Sequence, residues 1–359
     1  MNHQAMPQLP VSCYIEPETL AQEQARLFDR LPRYVGHELM VPQVGDYYTL
    51  EWMAHGEMLR RNDSGLYLMS NICRHRQAIM LKGRGHDKHI VCPLHRWAYD
   101  AEGQQIGAPR FPDNPCLDLS KQSLSSWNGL LFAGGDGDLA ARLAGMQAAR
   151  HLDFSGFALD RVVCQDYPFN WKTFIEVYLE DYHVAPYHPG LGHFVTCADL
   201  EWEFGDAWSV QTVGINGGLK RPGSEIYRRW HEAVLQRRGG LAPDKGAVWL
   251  TLYPNVMVEW YPDTLVVSFV IPRGPQACTN VVEFYYPQDI LQSHRDYIDA
   301  EQAAYLETAI EDEDICLRMD EGRRALYAKG LSEVGPYQSP MEDGMRHFHQ
   351  WYRRAMALE

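Results

Sequence analysis

The spacing of apolar residues changes character along the chain. In PETLAQEQARLFDRL (17–31), Leu20, Leu27 and Leu31 fall close to one face of a 3.6-residue spiral, and Phe28 widens it. Pro17 suits a first helical position, and Gln24 is a polar interruption of the stripe. The spacing predicts a helix there. From Tyr34 to about Gly137 the helical period is lost. Short β-rich runs (DYYTLEWM, LYLMSNI, HIVCPL, GLLFAGG) alternate with Gly, Pro, Asn and Asp, which predicts a small all-β module. Residues 138–154 suit a short helix or a linker. Beyond 161 the pattern predicts a helix over roughly 170–184, strands near 206–215 and 247–286, and a long helix from about 289 to 328. Turn residues at short spacing around 253–263 and 272–280 imply hairpins, hence an antiparallel sheet with helices on one side. The expected organisation is α+β overall. An N-terminal helix (1–33) packs with the second domain, a β-rich domain covers 34–150, and a mixed domain covers 151–359.

Composition narrows the class. A chain of 359 residues, 45% hydrophobic and 22% charged, has the make-up of a globular protein of two or so domains. Its formal charge, 33 − 47 = −14, argues against nucleic acid or an anionic membrane surface as a partner. No apolar run approaches a membrane span, and the first twenty residues carry neither a basic n-region nor an apolar h-region. Six of the eight cysteines are scattered singly, whereas Cys73 and Cys92 sit beside histidines. The expectation is a reduced, cytoplasmic protein in which these two bind metal.

Cys73-Arg74-His75 is followed, after sixteen residues, by Cys92-Pro93-Leu94-His95. Each pair follows a β run and can occupy a loop tip facing the other. Two thiolates and two imidazoles suit either tetrahedral zinc or a [2Fe–2S] cluster with two thiolates on one iron and two histidines on the other. A second constellation lies at 170–189. Asn170 is a candidate N-cap, and Glu176, Glu180 and His183 occupy i, i+4 and i+7, predicting two carboxylates and an imidazole on one helix face. Pro186 should end or bend that helix, letting His183 and His188 converge. Two histidines and one carboxylate make a facial site for non-haem Fe(II) with positions open for O₂. A candidate carboxylate lies in Glu311-Asp312-Glu313-Asp314. On a helix, Asp312 joins the stripe of Tyr305, Ala309, Cys316 and Met319; Asp314 falls opposite, Glu311 lies outside the stripe, and Glu313 borders a second apolar arc.

The flanks carry a resemblance. NICRHRQAIMLKGRG…HIVCPLHRWAYDAEGQQIGAP resembles the Rieske domain of non-haem iron oxygenases, and N-W-K…E-x-x-H-x-x-x-x-H-P-G is similar to their catalytic motif. Glu180, where most of that family has aspartate, and the late Glu342-x-Gly344-x-x-His347-Phe348-His349 resemble the subgroup acting on carnitine and other quaternary ammonium compounds. Gln77 and Arg96 depart from the usual glycines of the cluster loops, and Val177 from the usual asparagine.

The resemblance implies a Rieske domain beside a helix-grip catalytic domain. In it, Cys73, Cys92, His75 and His95 hold the cluster and His183, His188 and Asp312 hold the iron, so that His86, His89 and His193 are not ligands. It further implies a homotrimer fed by a separate NAD(P)H-dependent reductase or ferredoxin. Glu180 would bridge His183 to His95 of the partner subunit. The chain itself shows no G-x-G-x-x-G after a strand.

The implied activity is oxygenation of a small organic substrate: monooxygenation, demethylation or C–N cleavage, with cis-dihydroxylation of an aromatic ring as the alternative. A Rieske electron-transfer protein with a vestigial iron site is the alternative of another class. Trp249, Tyr253, Trp260 and Tyr261 could form a cation-binding cage or could be ordinary sheet aromatics.

Overall fold

The computed structural model describes residues 7–135 and 138–358, so the first six residues of the expected N-terminal segment, and Gly137 at the expected edge of the β module, lie outside the described residues. The chain divides into two compact units, one of residues 30–140 and one joining the N-terminal residues up to 29 with 141–359.

The first unit is all-β. Its larger sheet runs in the order Arg33–His37, Leu130–Ala133, Lys121–Trp127, Gly65–Ser70, Glu57–Asn62, Asp46–Thr49, Arg84–His86. A small sheet of Ile90–Val91, Ala98–Tyr99 and Gln105–Gly107 lies beside it in sequence. Met58, Met69, Met80, Ile90, Trp97, Tyr99 and Leu119 form its core together with Cys73 and Cys92.

The second unit is built on a seven-stranded antiparallel sheet. Its order is Phe157–Tyr167, Ala277–Pro287, Thr264–Gly274, Val256–Tyr261, Ala247–Leu252, Trp208–Ile215, Val195–Phe204. The last six strands form a meander, with turns at Pro254-Asn255 and Pro262-Asp263 where the sequence places them. The long helix Arg295–Ala328 packs with Glu225–Arg237 and Trp171–Tyr178, and Asp343–Met356 closes the chain. Phe157–Tyr167 and Val195–Phe204 escape sequence analysis because both are largely half-exposed edge strands without strict alternation.

Two predicted helices are shorter than their periodicity suggests. Pro17–Glu23 is α-helical, but Gln24–Phe28 widens into a π turn at the polar interruption, which still buries Leu27. The other, the helix over 170–184, stops at Tyr178. The Leu179 carbonyl accepts from Met345 N–H (3.0 Å) and Asp181 N–H donates to the Met341 carbonyl (3.0 Å). The segment entering the last helix thus takes the groups that would have continued this one. Gly344 permits the approach, since a Cβ there would meet the Leu179 carbonyl at 2.9 Å.

A buried ion pair ties the N-terminal segment to this unit. Lys172 Nζ lies 2.6 Å from Glu23 Oε1, both side chains 0% exposed. Glu23 also accepts from Trp171 Nε1 (2.8 Å) and the Tyr352 hydroxyl (2.5 Å). Removing one partner strands the other charge in a dry interior. Lys172→Ala should therefore cost about 3–5 kcal/mol of unfolding free energy in a urea titration. A loss below ~1 kcal/mol would show that the pair holds no unrelieved buried charge.

Candidate metal centres and the cavity of the second unit

In the first unit, two loops have the same backbone construction. Gln77 N–H donates to the Cys73 carbonyl (3.0 Å) and Cys73 N–H to the Ala78 carbonyl (2.9 Å). Arg96 N–H likewise donates to the Cys92 carbonyl (3.1 Å) and Cys92 N–H to the Trp97 carbonyl (2.8 Å). Closing each loop requires a left-handed residue, and Gln77 (φ 53°) and Arg96 (φ 62°) supply it. These are the positions where a glycine is usual, so the side chain departs but the backbone does not, at about 1–2 kcal/mol of local strain each.

The loops bring His75 and His95 to a ring separation of 4.6 Å, with His75 stacked on Trp97 at 5.0 Å. Cys73 and Cys92 are buried, and the Tyr99 hydroxyl lies 3.8 Å from Cys73 Sγ. His75 Nδ1 is buried with no hydrogen-bond partner. A buried imidazole nitrogen left over beside two buried thiols is the donor set a histidine-ligated cluster needs, so these residues fit a [2Fe–2S] group. His86 pairs with Asp46 (2.9 Å) on the surface, and His89 is exposed.

In the second unit, His183, His188 and Asp312 each present one ligand atom within 4.8 Å of the others. Asp312 Oδ1 lies 3.4 Å from His183 Nε2 and 3.0 Å from His188 Nε2. Both imidazoles are oriented from behind. His183 Nδ1 contacts Glu180 Oε1 at 2.5 Å, and His188 Nδ1 contacts Glu311 Oε2 at 2.7 Å. With each Nδ1–H donated to a carboxylate, both Nε2 lone pairs turn toward Asp312, an arrangement that suits a divalent ion. Burial opposes charge on His183, yet Asp312 and Glu180 outweigh it and raise the imidazole to about 10. Positive charge is thus strongly favoured at this point.

Several details differ from the sequence expectation. Because the helix ends at Tyr178, Glu176, Glu180 and His183 do not share a helical face. Glu176 turns into a buried cluster with Arg323 (2.6 Å) and His349 (2.8 Å). Glu180 folds back to accept from the amides of Tyr182 (2.6 Å) and His183 (3.1 Å). Pro186 sits within the short helix Val184–Tyr187 and is not what breaks the longer one. Glu311, outside the apolar stripe, nonetheless reaches His188, because a glutamate spans the offset of one position. Asp314 pairs with Arg318 (2.7 Å) and the Tyr187 hydroxyl, Glu313 lines the cavity, and His193 Nδ1 turns to the Pro189 carbonyl (2.7 Å).

A cavity of about 500 Å³ opens beside the three metal-facing residues. Trp249 and Tyr261 line it, with Trp249 Nε1 donating to the Tyr261 hydroxyl at 3.0 Å. Trp260 and Tyr253 do not join them in a cage. Side chains alternate along a strand, so Trp260 points to the other face and meets His151. Tyr253 lies past its strand, against His347, Phe348 and Trp351 of the last helix. The wall also holds two carboxylates that sequence analysis passed over, Glu259 and Glu301. Arg161 is the only arginine or lysine among the lining residues.

Residues 33–120 match the Rieske [2Fe-2S] domain, and residues 148–358 match the ring hydroxylating alpha subunit (catalytic domain). The chain belongs to the ring-hydroxylating alpha-subunit family of Rieske oxygenases. It is 60% identical over 349 residues to putrescine 2-hydroxylase of Ralstonia nicotianae, covering 97% of this chain and 95% of that one. To putrescine 2-hydroxylase of Bordetella bronchiseptica it is 51% identical over 367 residues, covering 98% and 85%. Its fold matches a crystal structure of a quaternary ammonium Rieske monooxygenase with a TM-score of 0.79 at 18% identity, over 99% and 97% of the two chains. The protein is therefore an oxidoreductase, the oxygenase component of a Rieske system. It works with a [2Fe–2S] cluster, a mononuclear iron and O₂ on a small substrate, and a separate electron-transfer protein feeds it. No helix among the described residues is long and apolar enough to cross a membrane.

Proposed function

We propose that the protein is a cytoplasmic, homotrimeric monooxygenase that hydroxylates a carbon of a small aliphatic amine, a linear diamine above all. The observation that carries this reading is the cavity: buried carboxylates and aromatic faces, with a single arginine, beside His183, His188 and Asp312. A cation is attracted to both features. A neutral aromatic ring would leave the carboxylates facing hydrocarbon, so the dihydroxylating alternative gains no support here. The 60% identity to a putrescine 2-hydroxylase points the same way.

In this reading Cys73, Cys92, His75 and His95 hold the cluster, and His183, His188 and Asp312 hold the iron. When bound, the two groups supply electron delivery and O₂ activation for attack on a C–H bond. The chain contributes the rest. Glu180 and Glu311 fix the imidazole orientations, the aromatic walls exclude water, and the carboxylates hold the ammonium so that one carbon faces the open iron positions. Exposed apolar side chains next to both centres support assembly into a trimer. Leu94 beside His95 is 58% exposed, and Tyr182 beside His183 is 59% exposed.

Oxygen uptake with a surrogate reductase, with products identified by mass, tests the proposal on panels of diamines, quaternary amines and aromatics. Diamine-dependent uptake yielding a product one oxygen heavier is expected. A product two oxygens heavier from an aromatic, with no amine turned over, would overturn it. Metal analysis separates the electron-carrier alternative, which would hold only the cluster's two irons.

A further inference from the structure

Glu259 and Glu301 are buried in the cavity wall, 2% and 1% exposed, and among the described residues neither forms an ion pair. Both are held by tyrosines. Glu259, on the strand Val256–Tyr261, accepts from the hydroxyls of Tyr261 (2.8 Å) and Tyr305 (3.1 Å). Glu301, on the long helix, accepts from the Tyr286 hydroxyl. Hydroxyl donors orient a carboxylate without neutralising it, so each keeps a demand for positive charge that no ion pair among the described residues meets.

The two are arranged in series relative to the metal-facing Asp312. On the long helix, Glu301, Tyr305, Thr308 and Asp312 follow i, i+4, i+7 and i+11, which is one stripe. At 1.5 Å per residue, Tyr305 lies about 10 Å and Glu301 about 16 Å along the axis from Asp312. Tyr305 carries Glu259, so Glu259 is the nearer carboxylate and Glu301 the deeper one. The sheet register sets Glu259, Val266 and Phe284 side by side on neighbouring strands, so the wall leading from Glu259 toward Tyr286 and Glu301 is apolar and aromatic. A flexible polymethylene chain matches this sequence of acid, hydrocarbon wall and acid.

We propose that the cavity is a two-ammonium site, in which Glu259, held by Tyr261 and Tyr305, takes the ammonium nearer the iron and Glu301, held by Tyr286, takes the far one. The inference rests on the amine reading above and deepens it: the substrate is doubly charged, and each charge has its own carboxylate. Electrostatics agree with the geometry. Burial raises Glu259 to about 7 against the pull of its tyrosines. Burial also raises Glu301 to about 8 against the pull of Tyr286, and the charge of Glu259 adds to the rise. The groups facing them, besides each other, are Tyr261, Tyr305, Asp312, Tyr286, Asp160 and Arg161. Only Arg161 is basic, and it acts weakly on Glu301 alone.

Titration calorimetry of the intact, metal-loaded protein under anaerobic conditions tests this, with putrescine and n-butylamine as probes. Wild type should bind both, putrescine the more tightly. Glu301→Gln should weaken putrescine by roughly 100-fold, the size of a lost buried charge-assisted bond, and leave n-butylamine within about twofold. Glu259→Gln should weaken both amines. Tyr286→Phe, which unseats Glu301 while keeping its charge, should give a smaller selective loss of putrescine and serves if Glu301→Gln does not fold. Equal weakening of both amines by Glu301→Gln, or no weakening of either, would overturn the two-site inference while leaving the amine reading standing. Wild type that binds neither amine would overturn the amine reading itself, and the inference with it.

Discussion

Asp312→Ala is expected to abolish turnover and to lose the mononuclear iron while keeping the cluster's absorption. Among the described residues, Asp312 is the only carboxylate whose oxygen lies within 3.4 Å of both His183 and His188 Nε2. Removing it leaves two imidazoles, too few to hold a labile ferrous ion against water. Its carboxyl is held at about 2: burial works to raise it, but the two histidines outweigh burial. It is therefore fully ionised at any working pH. Two comparators grade the effect. Glu311→Gln removes the acceptor behind His188 (2.7 Å) but no ligand, so iron affinity should fall by roughly 10–100-fold. Asp314→Ala removes a surface pair with Arg318 and should leave stability close to wild type with iron retained. Iron retained in the Asp312 variant and lost in the Asp314 variant would reverse the ligand assignment.

The parts legible in the sequence are those where chemistry and period coincide locally. The two Cys/His loops could be read because scarce residue types recur at tight spacing, and the left-handed residues that close them needed no glycine to be recognisable. Asp312 could be chosen from an acidic run because the long helix is regular through Tyr305, Ala309 and Cys316. What escaped depends on partners distant in the chain. The break after Tyr178 is imposed by residues 341–345, which no local pattern around 170–184 reveals. Glu259 and Glu301 escape sequence analysis because burial of a carboxylate is a tertiary fact. Trp260 and Tyr261 were indistinguishable as aromatics, yet one residue of strand register sends them to opposite faces. Strict alternation along 256–261 groups Glu259 with Tyr261 and separates Trp260.

Glu180→Gln should leave both metal centres and the cluster spectrum intact but slow reoxidation of the pre-reduced cluster, with O₂ and substrate present, by roughly 100-fold or more. The structure gives Glu180 three contacts: Oε1 on His183 Nδ1, and Oε2 on the amides of Tyr182 and His183. Glutamine keeps the size but offers one acceptor oxygen in place of two, so either the imidazole or the turn loses its partner. His183 keeps Nε2 for the iron, which is why the metal should stay. The hydrogen-bonded path behind the imidazole is what changes, and in the proposed trimer that path leads toward the cluster of the partner subunit. Glu180→Asp keeps the charge one methylene shorter and should recover part of the rate. Asp181→Asn would be a poor control. Asp181, next along the chain, is 2% exposed and lines the cavity. Asp314→Asn is the better one, since among the described residues its carboxylate is held by Tyr187 and Arg318 and not by His183 or His188. Rapid-mixing absorbance separates the outcomes. A wild-type rate in Glu180→Gln, or equal slowing in Asp314→Asn, would assign Glu180 to the local turn alone, because a carboxylate that only shapes the loop has no means of singling out electron transfer.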